Sequence, residues 1–382
     1  MFDQSRQPAF AEFFAGGGMV RAGLGAGWRC AMANDIDPAK CAVYRENWGD
    51  EDLVQGDIKS LDPKLLQTPI DLYWASSPCQ DFSLAGKGQG LTGARSGVFT
   101  AWMDQVTKAI EAGFAPKIIA FENVTGLVSG RQGRDFSNVL RAFVDNGYRV
   151  GAVEIDASHF LPQSRPRVFV IALRNGFDIP GALLTHAPQP LFHSKRLLAY
   201  QAQAPKEIRD NWLWWQIPAP AARTIALSDV IDASGPWMDA TARRRLFSLM
   251  NPLNRQKLED KQNISGLHIG TVYKRGRPNA AGATVQQAEL RFDGLSGCLR
   301  TPGGGSSRQT IVVVDDGKVK ARLLSTREAA RLMGLPDSFR LPGNYNAAYK
   351  FVGDGVAVPV VRHLAQHLFE PLLAHWQARA AA

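Results

Sequence analysis

The stretch that most constrains the fold is an apolar run leading into a proline and a cysteine. Residues 70–74 have the length and apolar character of a short buried strand. Residues 75–83, with the sequence ASSPCQDFS, follow it, and a Gly-, Gln- and Lys-containing segment at 86–97 then indicates a long loop. Cys79 is therefore predicted at the carboxyl end of a strand, where open α/β sheets bind ligands.

Two interpretations of Cys79 are open from this stretch alone. A thiolate is the strongest common side-chain nucleophile near neutral pH, and Pro78 stiffens the approach to it. The alternative is a buried cysteine that acts as a small hydrophobic side chain.

Composition narrows the class of protein. The 382 residues suffice for one large and one smaller domain, and 45% hydrophobic with 21% charged residues is ordinary for a globular chain. No apolar stretch approaches the ~20 residues that span a bilayer, so no membrane partner is expected. The net charge of +9 favours a polyanionic partner.

The cysteines are scattered, without a CxxC pair or a His-rich cluster. They predict neither a disulfide framework nor a metal site, and a reducing cytoplasm fits them best. The N-terminus also lacks the pattern of a signal peptide. The four are Cys30, Cys41, Cys79 and Cys298.

A strand, a glycine turn and a helix are predicted at the N-terminus. The apolar run 9–14 meets Ala15-Gly16-Gly17-Gly18-Met19, and a helix pattern follows. This order is typical of a loop that binds a nucleotide-type cofactor. The spacing departs from GxGxxG, so an ordinary tight turn is the alternative.

Acidic residues follow the next two predicted elements. Asp35, roughly 20 residues after the glycine loop, is placed to accept ribose hydroxyls. Asp37 is predicted to cap a helix over residues 38–48, with Pro38 at its first position. Asp57 offers a second carboxylate, placed for an adenine amino group, unless it only belongs to a surface turn.

Further polar residues follow a predicted buried strand at 117–121. Glu122 comes directly after it and could be a general acid or a solvated, idle carboxylate. Arg165 and Arg167, separated by a proline, lie between two later predicted strands at 148–155 and 168–173, and they could be solvated or could hold an anion or a base edge.

The chain changes character after about residue 177, where prolines interrupt it repeatedly, and a second, irregular domain is predicted. Its basic loops at 274–277 and 300–308 suit phosphate and base contacts, or plain solvent exposure. Residues 325–334 predict a helix with a capping box. Residues 353–355 predict a tight turn that opens a last apolar helix, from 356 to about 376.

Eight blocks, taken in order, resemble the cytosine-5 DNA methyltransferase family. They cover nearly everything outside residues 179–295. They read FFAGGG at 13–18, NDID at 34–37, GDI at 56–58, SPCQDFS at 77–83, ENV at 122–124, QSRPR at 163–167, RLMGLPDSF at 331–339 and KFVGDGV at 350–356.

The resemblance implies an α/β fold with a Rossmann-like, S-adenosylmethionine-dependent catalytic domain at residues 1–178. It also implies a small, irregular target-recognition domain at 179–344. The remaining residues, 345–382, are expected to form a C-terminal helix that returns to the catalytic domain.

The resemblance also implies a covalent mechanism on a flipped-out cytosine. Cys79 would add to carbon 6, and Glu122 would hydrogen-bond ring nitrogen 3 and the exocyclic amine. Arg165 would hold the carbonyl oxygen, and Arg167 would support the site.

Binding residues are carried over by matching position or chosen from the basic loops. The expected S-adenosylmethionine contacts are Phe14, Ala15, Gly16, Gly18, Met19, Asp35, Ile36, Asp57, Ile58, Pro78, Phe99, Asp354 and Gly355. The expected DNA contacts are Gln80, Ser83, Lys274, Arg277, Arg300, Gly303, Gly304 and Ser306.

One block departs from the family's commonest pattern, since Asp354-Gly355 stands where Asn and Ser or Ala are usual. An ionised Asp only accepts hydrogen bonds, so Asp354 would suit the cofactor's ammonium group. The alternative is that Asp354 only caps the last helix.

The expected partner is double-stranded DNA, with a cognate restriction endonuclease as a further candidate. A monomer in the bacterial cytoplasm or nucleoid is expected. Two other functions remain open: methylation of tRNA, as in the family's RNA branch, and DNA binding without catalysis.

Overall fold

A computed structural model describes residues 7–77, 97–232, 235–278, 282–300 and 308–381. The chain divides into two compact units. The first unit comprises Met1–Ile155, Pro166–Ala219 and Val358–Ala382, and the second comprises Asp156–Arg165 and Pro220–Ala357. No helix among the described residues is long and apolar enough to cross a bilayer.

The units end at different residues from the predicted domains. Residues 179–219 belong to the first unit, and residues 345–357 belong to the second. The tryptophan cluster explains the first difference, because Trp215 is fully buried and its Nε1 donates to the Ile171 carbonyl at 3.3 Å. Leu213 N likewise donates to Val150 O at 2.7 Å. Aperiodic aromatic residues after a series of prolines can thus be part of a large core.

Seven strands among the described residues form the sheet of the first unit, in the order β3-β2-β1-β4-β5-β7-β6. Strand β1 is parallel to β2 and β4, β4 is parallel to β5, and β5 is antiparallel to β7. The strands are β1 (Ala9–Phe13), β2 (Arg29–Asp35), β3 (Leu53–Gln55), β4 (Leu72–Ala75), β5 (Ile118–Val124), β6 (Tyr148–Asp156) and β7 (Pro166–Arg174).

Helices connect these strands and continue through both units. They are α1 (Met19–Leu24), α2 (Pro38–Trp48), α3 (Gly97–Glu111), α4 (Gly126–Ser129), α5 (Arg134–Asp145), α6 (Lys195–Gln203), α7 (Lys206–Asp210), α8 (Leu227–Val230), α9 (Ala240–Ser248), α10 (Pro252–Gln262), α11 (Thr326–Arg331), α12 (Tyr345–Asp354), α13 (Val358–Leu364) and α14 (Glu370–Ala381). The predicted cap of α2 is confirmed, because Ala39 N donates to Asp37 Oδ1 at 2.9 Å.

The strand order creates a crevice. From β1 the chain moves outward to β2 and β3, and then returns to form β4 on the other side of β1. Ligands bind outside the carboxyl ends of parallel strands at such a switch point. The glycine turn follows β1 there, and Ser76-Ser77 follow β4. The first unit therefore presents the predicted cofactor loop and the segment leading to Cys79 at one edge of its sheet.

The second unit contains a four-stranded sheet in the order β11-β10-β8-β9. Its core combines apolar residues of the sheet, such as Val272 and Ala288, with Leu246 and Leu258 of α9 and α10. The predicted capping box at Ser325 and Glu328 is confirmed. The strands are β8 (Leu267–Pro278), β9 (Thr284–Arg291), β10 (Thr310–Asp315) and β11 (Lys318–Leu323).

The prediction of a tight turn at 353–355 is wrong in detail. Gly353 and Asp354 are the last residues of α12, and only Gly355 follows the helix as its C-cap. The last apolar segment begins at Val358 and contains a π-helical turn, Ala365–Phe369, between α13 and α14. Glycine within a helix is tolerated when packing favours it, and here Val352 and Gly353 are buried.

Candidate active site

The glycine turn after β1 has the left-handed backbone that its sequence predicts. Phe14, Gly16 and Gly18 have φ angles of 57°, 58° and 80°. Ala15 N donates to Asn34 O at 2.9 Å, which ties the turn to the end of β2. A turn of this kind brings backbone N–H groups close to a ligand.

Asp35 lies at the end of β2 and organises this turn. Its carboxylate accepts Gly16 N and Asp37 N, each at 2.8 Å, and the residue is 6% exposed. A carboxylate has about four lone-pair sites, so two bonds leave capacity for two hydroxyl donors. Asp35 can therefore hold both the loop and a ribose.

Asp57 and Ile36 lie at the same edge of the sheet. The Asp57 carboxylate accepts Lys59 N at 3.0 Å and so caps a short 3-10 turn, Ile58–Ser60. Ile36 is 62% exposed, which is unusual for a large aliphatic side chain. An exposed apolar side chain that directly follows Asp35 suits the face of an adenine ring, which is apolar and has polar edges.

Three other predicted cofactor residues contribute mainly to the hydrophobic core. Met19, Ile58 and Phe99 are each 3% exposed. Phe99 packs edge-on against Phe121 at 5.3 Å between ring centroids, and its neighbour Trp102 is fully buried. These side chains support the crevice but have little exposed surface of their own for a ligand.

Glu122 and Arg167 form a buried ion pair. Arg167 Nε lies 3.0 Å from Glu122 Oε1, and the two side chains are 14% and 8% exposed. Strand β5 runs through Val124, beyond its predicted end, so Glu122 lies inside the strand. In the antiparallel register Val124 faces Arg167, which makes Glu122 and Arg167 diagonal neighbours. The pair therefore places a carboxylate acceptor beside the N–H donors of a guanidinium group at one edge of the sheet.

Arg165 has different surroundings, within the second unit. It is 2% exposed, its Nη1 donates to Leu299 O at 2.9 Å, and its Nη2 donates to the carbonyls of Gly353 and Gly355. The resemblance assigned the base's carbonyl oxygen to Arg165 and a supporting role to Arg167. Backbone carbonyls engage the Arg165 guanidinium, whereas Arg167 contacts Glu122.

Cys79 lies outside the described residues, and Ser77 is the last described residue before it. Two of the other cysteines are unsuitable nucleophiles, because burial raises the pKa of Cys30 to about 12 and that of Cys41 to about 11. Near neutral pH their thiols remain protonated.

Asn123 is a site residue to which the sequence interpretation gave no role. It is 1% exposed, and its Nδ2 donates to Ser77 O at 3.3 Å. This bond links the end of β5 to the segment that leads to Cys79. Only its position beside Glu122 could have indicated the role, since asparagine is equally common in turns.

Asp354 and Gly355 close α12. Asp354 is the last residue of that helix, and the next helix begins at Val358. A carboxylate in the last turn of a helix gains no stabilisation from the dipole of that helix.

The predicted DNA contacts that are described lie in the second unit. The prediction of a loop at 274–277 is wrong, because pairing with β9 makes these residues part of β8, where the side chains of Lys274 and Arg277 lie on opposite faces of the strand. Arg277 pairs with Glu289 of β9, which the sequence interpretation missed. Arg300 lines a groove of about 460 Å³ together with Arg277 and Glu289. The other predicted DNA contacts lie outside the described residues, as does the predicted cofactor contact Pro78; they are Gln80, Ser83, Gly303, Gly304 and Ser306.

Known proteins resemble the chain over nearly its whole length. The family model for C-5 cytosine-specific DNA methylase matches residues 9–370. The type II methyltransferase M.PspPI of Psychrobacter sp. (strain TA137) is 27% identical, over 93% of this chain and 77% of its own length. M.HhaI of Haemophilus parahaemolyticus, also named a type II methyltransferase, is 25% identical over 94% of this chain and 93% of its own.

A solved structure supports the fold. The Entamoeba histolytica methyltransferase EhMeth superposes with a TM-score of 0.62 at 15% identity, over 96% of this chain and 99% of that one.

Proposed function

The chain belongs to the C-5 cytosine-specific DNA methylase family, and from this premise we propose that it methylates a flipped-out cytosine through a covalent adduct with Cys79. The buried Glu122–Arg167 pair carries the proposal, because it lies at the crevice edge of β5. Asn123 of the same strand contacts the segment that leads to Cys79.

The nucleophile solves a chemical problem, since carbon 5 of cytosine is a poor nucleophile within an aromatic ring. The Cys79 thiolate adds to carbon 6, and the electrons of the 5,6 double bond become available at carbon 5. After carbon 5 has bonded the methyl group, its proton leaves and the thiolate is expelled, which restores the ring. The target atom is inaccessible within a stacked duplex, so the base must be extruded.

Glu122 and Arg167 hold the base while negative charge develops on the ring. Glu122 shares a proton with ring nitrogen 3 through one carboxyl oxygen, and its other oxygen accepts from the exocyclic amine. Arg167 orients this carboxyl group and supplies a donor for the carbonyl oxygen. Arg165 acts as a buried support, through its bonds to three backbone carbonyls.

The family's cofactor is S-adenosylmethionine, which supplies the methyl group as an electrophilic sulfonium. Asp35 would hold the ribose hydroxyls and Asp57 the adenine amine, with Ile36 against the purine. Phe14, Gly16 and Gly18 shape the turn beside them. We propose Asp354 as the partner of the cofactor's ammonium group, because an ionised carboxylate only accepts hydrogen bonds.

The biological setting follows from the substrate and the relatives. The type II names of M.PspPI and M.HhaI support a role in restriction-modification, with a cognate endonuclease acting at the same site. A monomer is sufficient for the chemistry, and a DNA substrate supports location in the bacterial cytoplasm or nucleoid.

A trapping experiment tests the adduct. Duplex DNA containing 5-fluorocytosine at the target position should form a covalent complex with the wild-type protein in the presence of S-adenosylmethionine, because fluorine replaces the proton that must leave. Intact-mass measurement should show protein plus DNA plus one methyl group. Cys79→Ala should form no complex while still binding the cofactor.

Cys298→Ser is the matched control, because this partly exposed cysteine is not assigned to catalysis and a serine keeps an acceptor for Arg165 Nη1, the donor to Cys298 Sγ at 3.5 Å. It should trap DNA like the wild type. Methyl transfer by Cys79→Ala at a rate comparable to the wild type would contradict the assignment of Cys79 as the nucleophile.

A further inference from the structure

Strands β8 and β9 extend beyond their sheet as a two-stranded ribbon. Strand β10 pairs with β8 only at residues 267–272, whereas β9 pairs with β8 through residue 278. Residues 273–278 and 284–289 therefore form what we call the ribbon. The major groove of DNA, about 12 Å wide, admits a two-stranded β-ribbon.

One face of the ribbon carries side chains suited to base edges. Tyr273, Arg275 and Arg277 alternate along β8, and their partners on β9 are Glu289, Gln287 and Val285. The opposite face turns into the core near the sheet, where Val272 and Ala288 are buried. The polar face lines the groove that also contains Arg300, and both arginine side chains are 47% exposed.

Glu289 lies between the two arginines and contacts both. Its Oε1 lies 2.7 Å from Arg277 Nε and 2.6 Å from Arg277 Nη2, and its Oε2 lies 3.3 Å from Arg275 Nε. A guanidinium held at its Nε side keeps the edge formed by its two Nη groups for a second, bidentate partner.

A second contact restrains Arg275. Its guanidinium carbon lies 5.2 Å from the centroid of the Tyr273 ring, in cation–π distance. Side chains with several rotatable bonds lose entropy on binding, and restraint before binding lowers that cost. The two guanidinium groups are thus positioned before DNA arrives.

We propose that Arg275 and Arg277 read guanine in the major groove of the methylated site, with Glu289 as the positioning residue for both. Bidentate donation to the O6 and N7 acceptors of guanine is the commonest specific arginine contact. Gln287, opposite Arg275, has the amide that suits an adjacent adenine. This inference rests on the proposed methylation of duplex DNA.

A base analogue tests the reading directly in the wild-type protein. Once the methylated site is mapped, each guanine is replaced in turn by 7-deazaguanine, which pairs normally but lacks the N7 acceptor. At one or two guanines kcat/KM should fall by roughly 10- to 100-fold, the range of a good bidentate contact. A site without guanine, or full activity at every substituted position, would overturn the proposal.

Arginine-to-lysine variants test which arginine contacts which guanine. Arg275→Lys and Arg277→Lys keep the positive charge but lose the paired N–H donors of the guanidinium group. In each variant kcat/KM should therefore no longer fall when 7-deazaguanine replaces one particular guanine. The salt dependence of DNA binding should stay unchanged, since the number of charges is the same. Arg244→Lys, an exposed change on α9 of the same unit, is the matched control and should keep the wild-type pattern.

Glu289→Gln removes the carboxylate at nearly constant shape. It should lower discrimination at the same guanines, while binding to unrelated DNA stays equal or rises because a negative charge is lost. A uniform loss of affinity for all sequences in the three ribbon variants would mean phosphate contacts and contradict the proposal. Absence of methyl transfer by the wild type to any duplex would overturn the proposed function as well.

Discussion

At the scale of single residues, the roles of the two arginines in the QSRPR block could not be distinguished from the sequence. The block identified both Arg165 and Arg167 as site residues. They are two positions apart, and nothing in the sequence indicates which one pairs with Glu122. The fold decides, because β7 begins at Pro166 and places Arg167 in register with the end of β5.

Arginine-to-lysine changes at both positions should separate the two roles. Arg167→Lys should lower kcat by roughly 100-fold with nearly unchanged melting temperature, because the fork that orients Glu122 is lost. Arg165→Lys should lower the free energy of unfolding by roughly 2 kcal/mol, because backbone carbonyls lose charged donors. Steady-state kinetics and thermal melting of both variants check this; the reverse pattern would return the base-contacting role to Arg165.

Glu12 gives a prediction about pH. It lies on β1, 2% exposed, and accepts the N–H groups of Val20 and Arg21 at 3.3 Å each. Burial raises its pKa from the ordinary 4.5 to about 8, although both backbone bonds oppose the shift. Since the folded-state pKa is the higher one, this residue's contribution to stability is complete below pH 4.5 and is lost as the pH rises to about 8.

The non-ionising variant Glu12→Gln should therefore show a shallower decrease in stability than the wild type between these pH values. Urea unfolding at several pH values measures both slopes. Parallel curves would indicate that Glu12 is ionised in the folded protein at all of them.

At the scale of elements, the sequence predicted the strands beside the crevice and helix α2 with its Asp37 cap. These elements have local causes: a short apolar run, a glycine turn, or proline after a capping residue. The extension of β5 through Glu122 to Val124 could not be predicted, because strand pairing with β7 supplies the reason. Likewise, tertiary packing overrides the helix-breaking tendency of Gly353 at the end of α12.

The glycine turn gives a prediction at this scale. A Cβ on Gly18 would lie 2.4 Å from Nε1 of Trp48, whose indole donates to Gly17 O. Gly18→Ala should therefore distort the turn and weaken S-adenosylmethionine binding at least tenfold. Gly25→Ala is the matched control, because Gly25 has a similar φ of 77° but no atom within 4 Å of the added Cβ. It should cost about 1 kcal/mol of stability from backbone strain alone.

Calorimetric titration with the cofactor and melting curves of both variants distinguish the cases. Equal cofactor affinity in Gly18→Ala and Gly25→Ala would show that the glycine turn does not contribute to cofactor binding.

At the scale of the whole molecule, ordered motifs were more informative than composition. The charge of +9 indicated only a polyanionic partner, whereas eight blocks in order indicated the family and its chemistry. The same blocks could not predict the ribbon, because target recognition depends on pairs such as Arg277 and Glu289 that are distant in sequence and meet only across strands. The division into compact units could also not be predicted without the fold, since residues 179–219 join the first unit through buried residues such as Leu213 and Trp215.

Base-resolution mapping of 5-methylcytosine tests whether the protein methylates cytosine in DNA through Cys79. Genomic DNA and total tRNA would be sequenced from a methylation-deficient bacterium that expresses either the wild-type protein or Cys79→Ala. We predict 5-methylcytosine at every copy of one short DNA sequence with the wild type, none with Cys79→Ala, and no change in tRNA. Methylated tRNA with unmodified DNA, or equal DNA methylation by both proteins, would contradict the account.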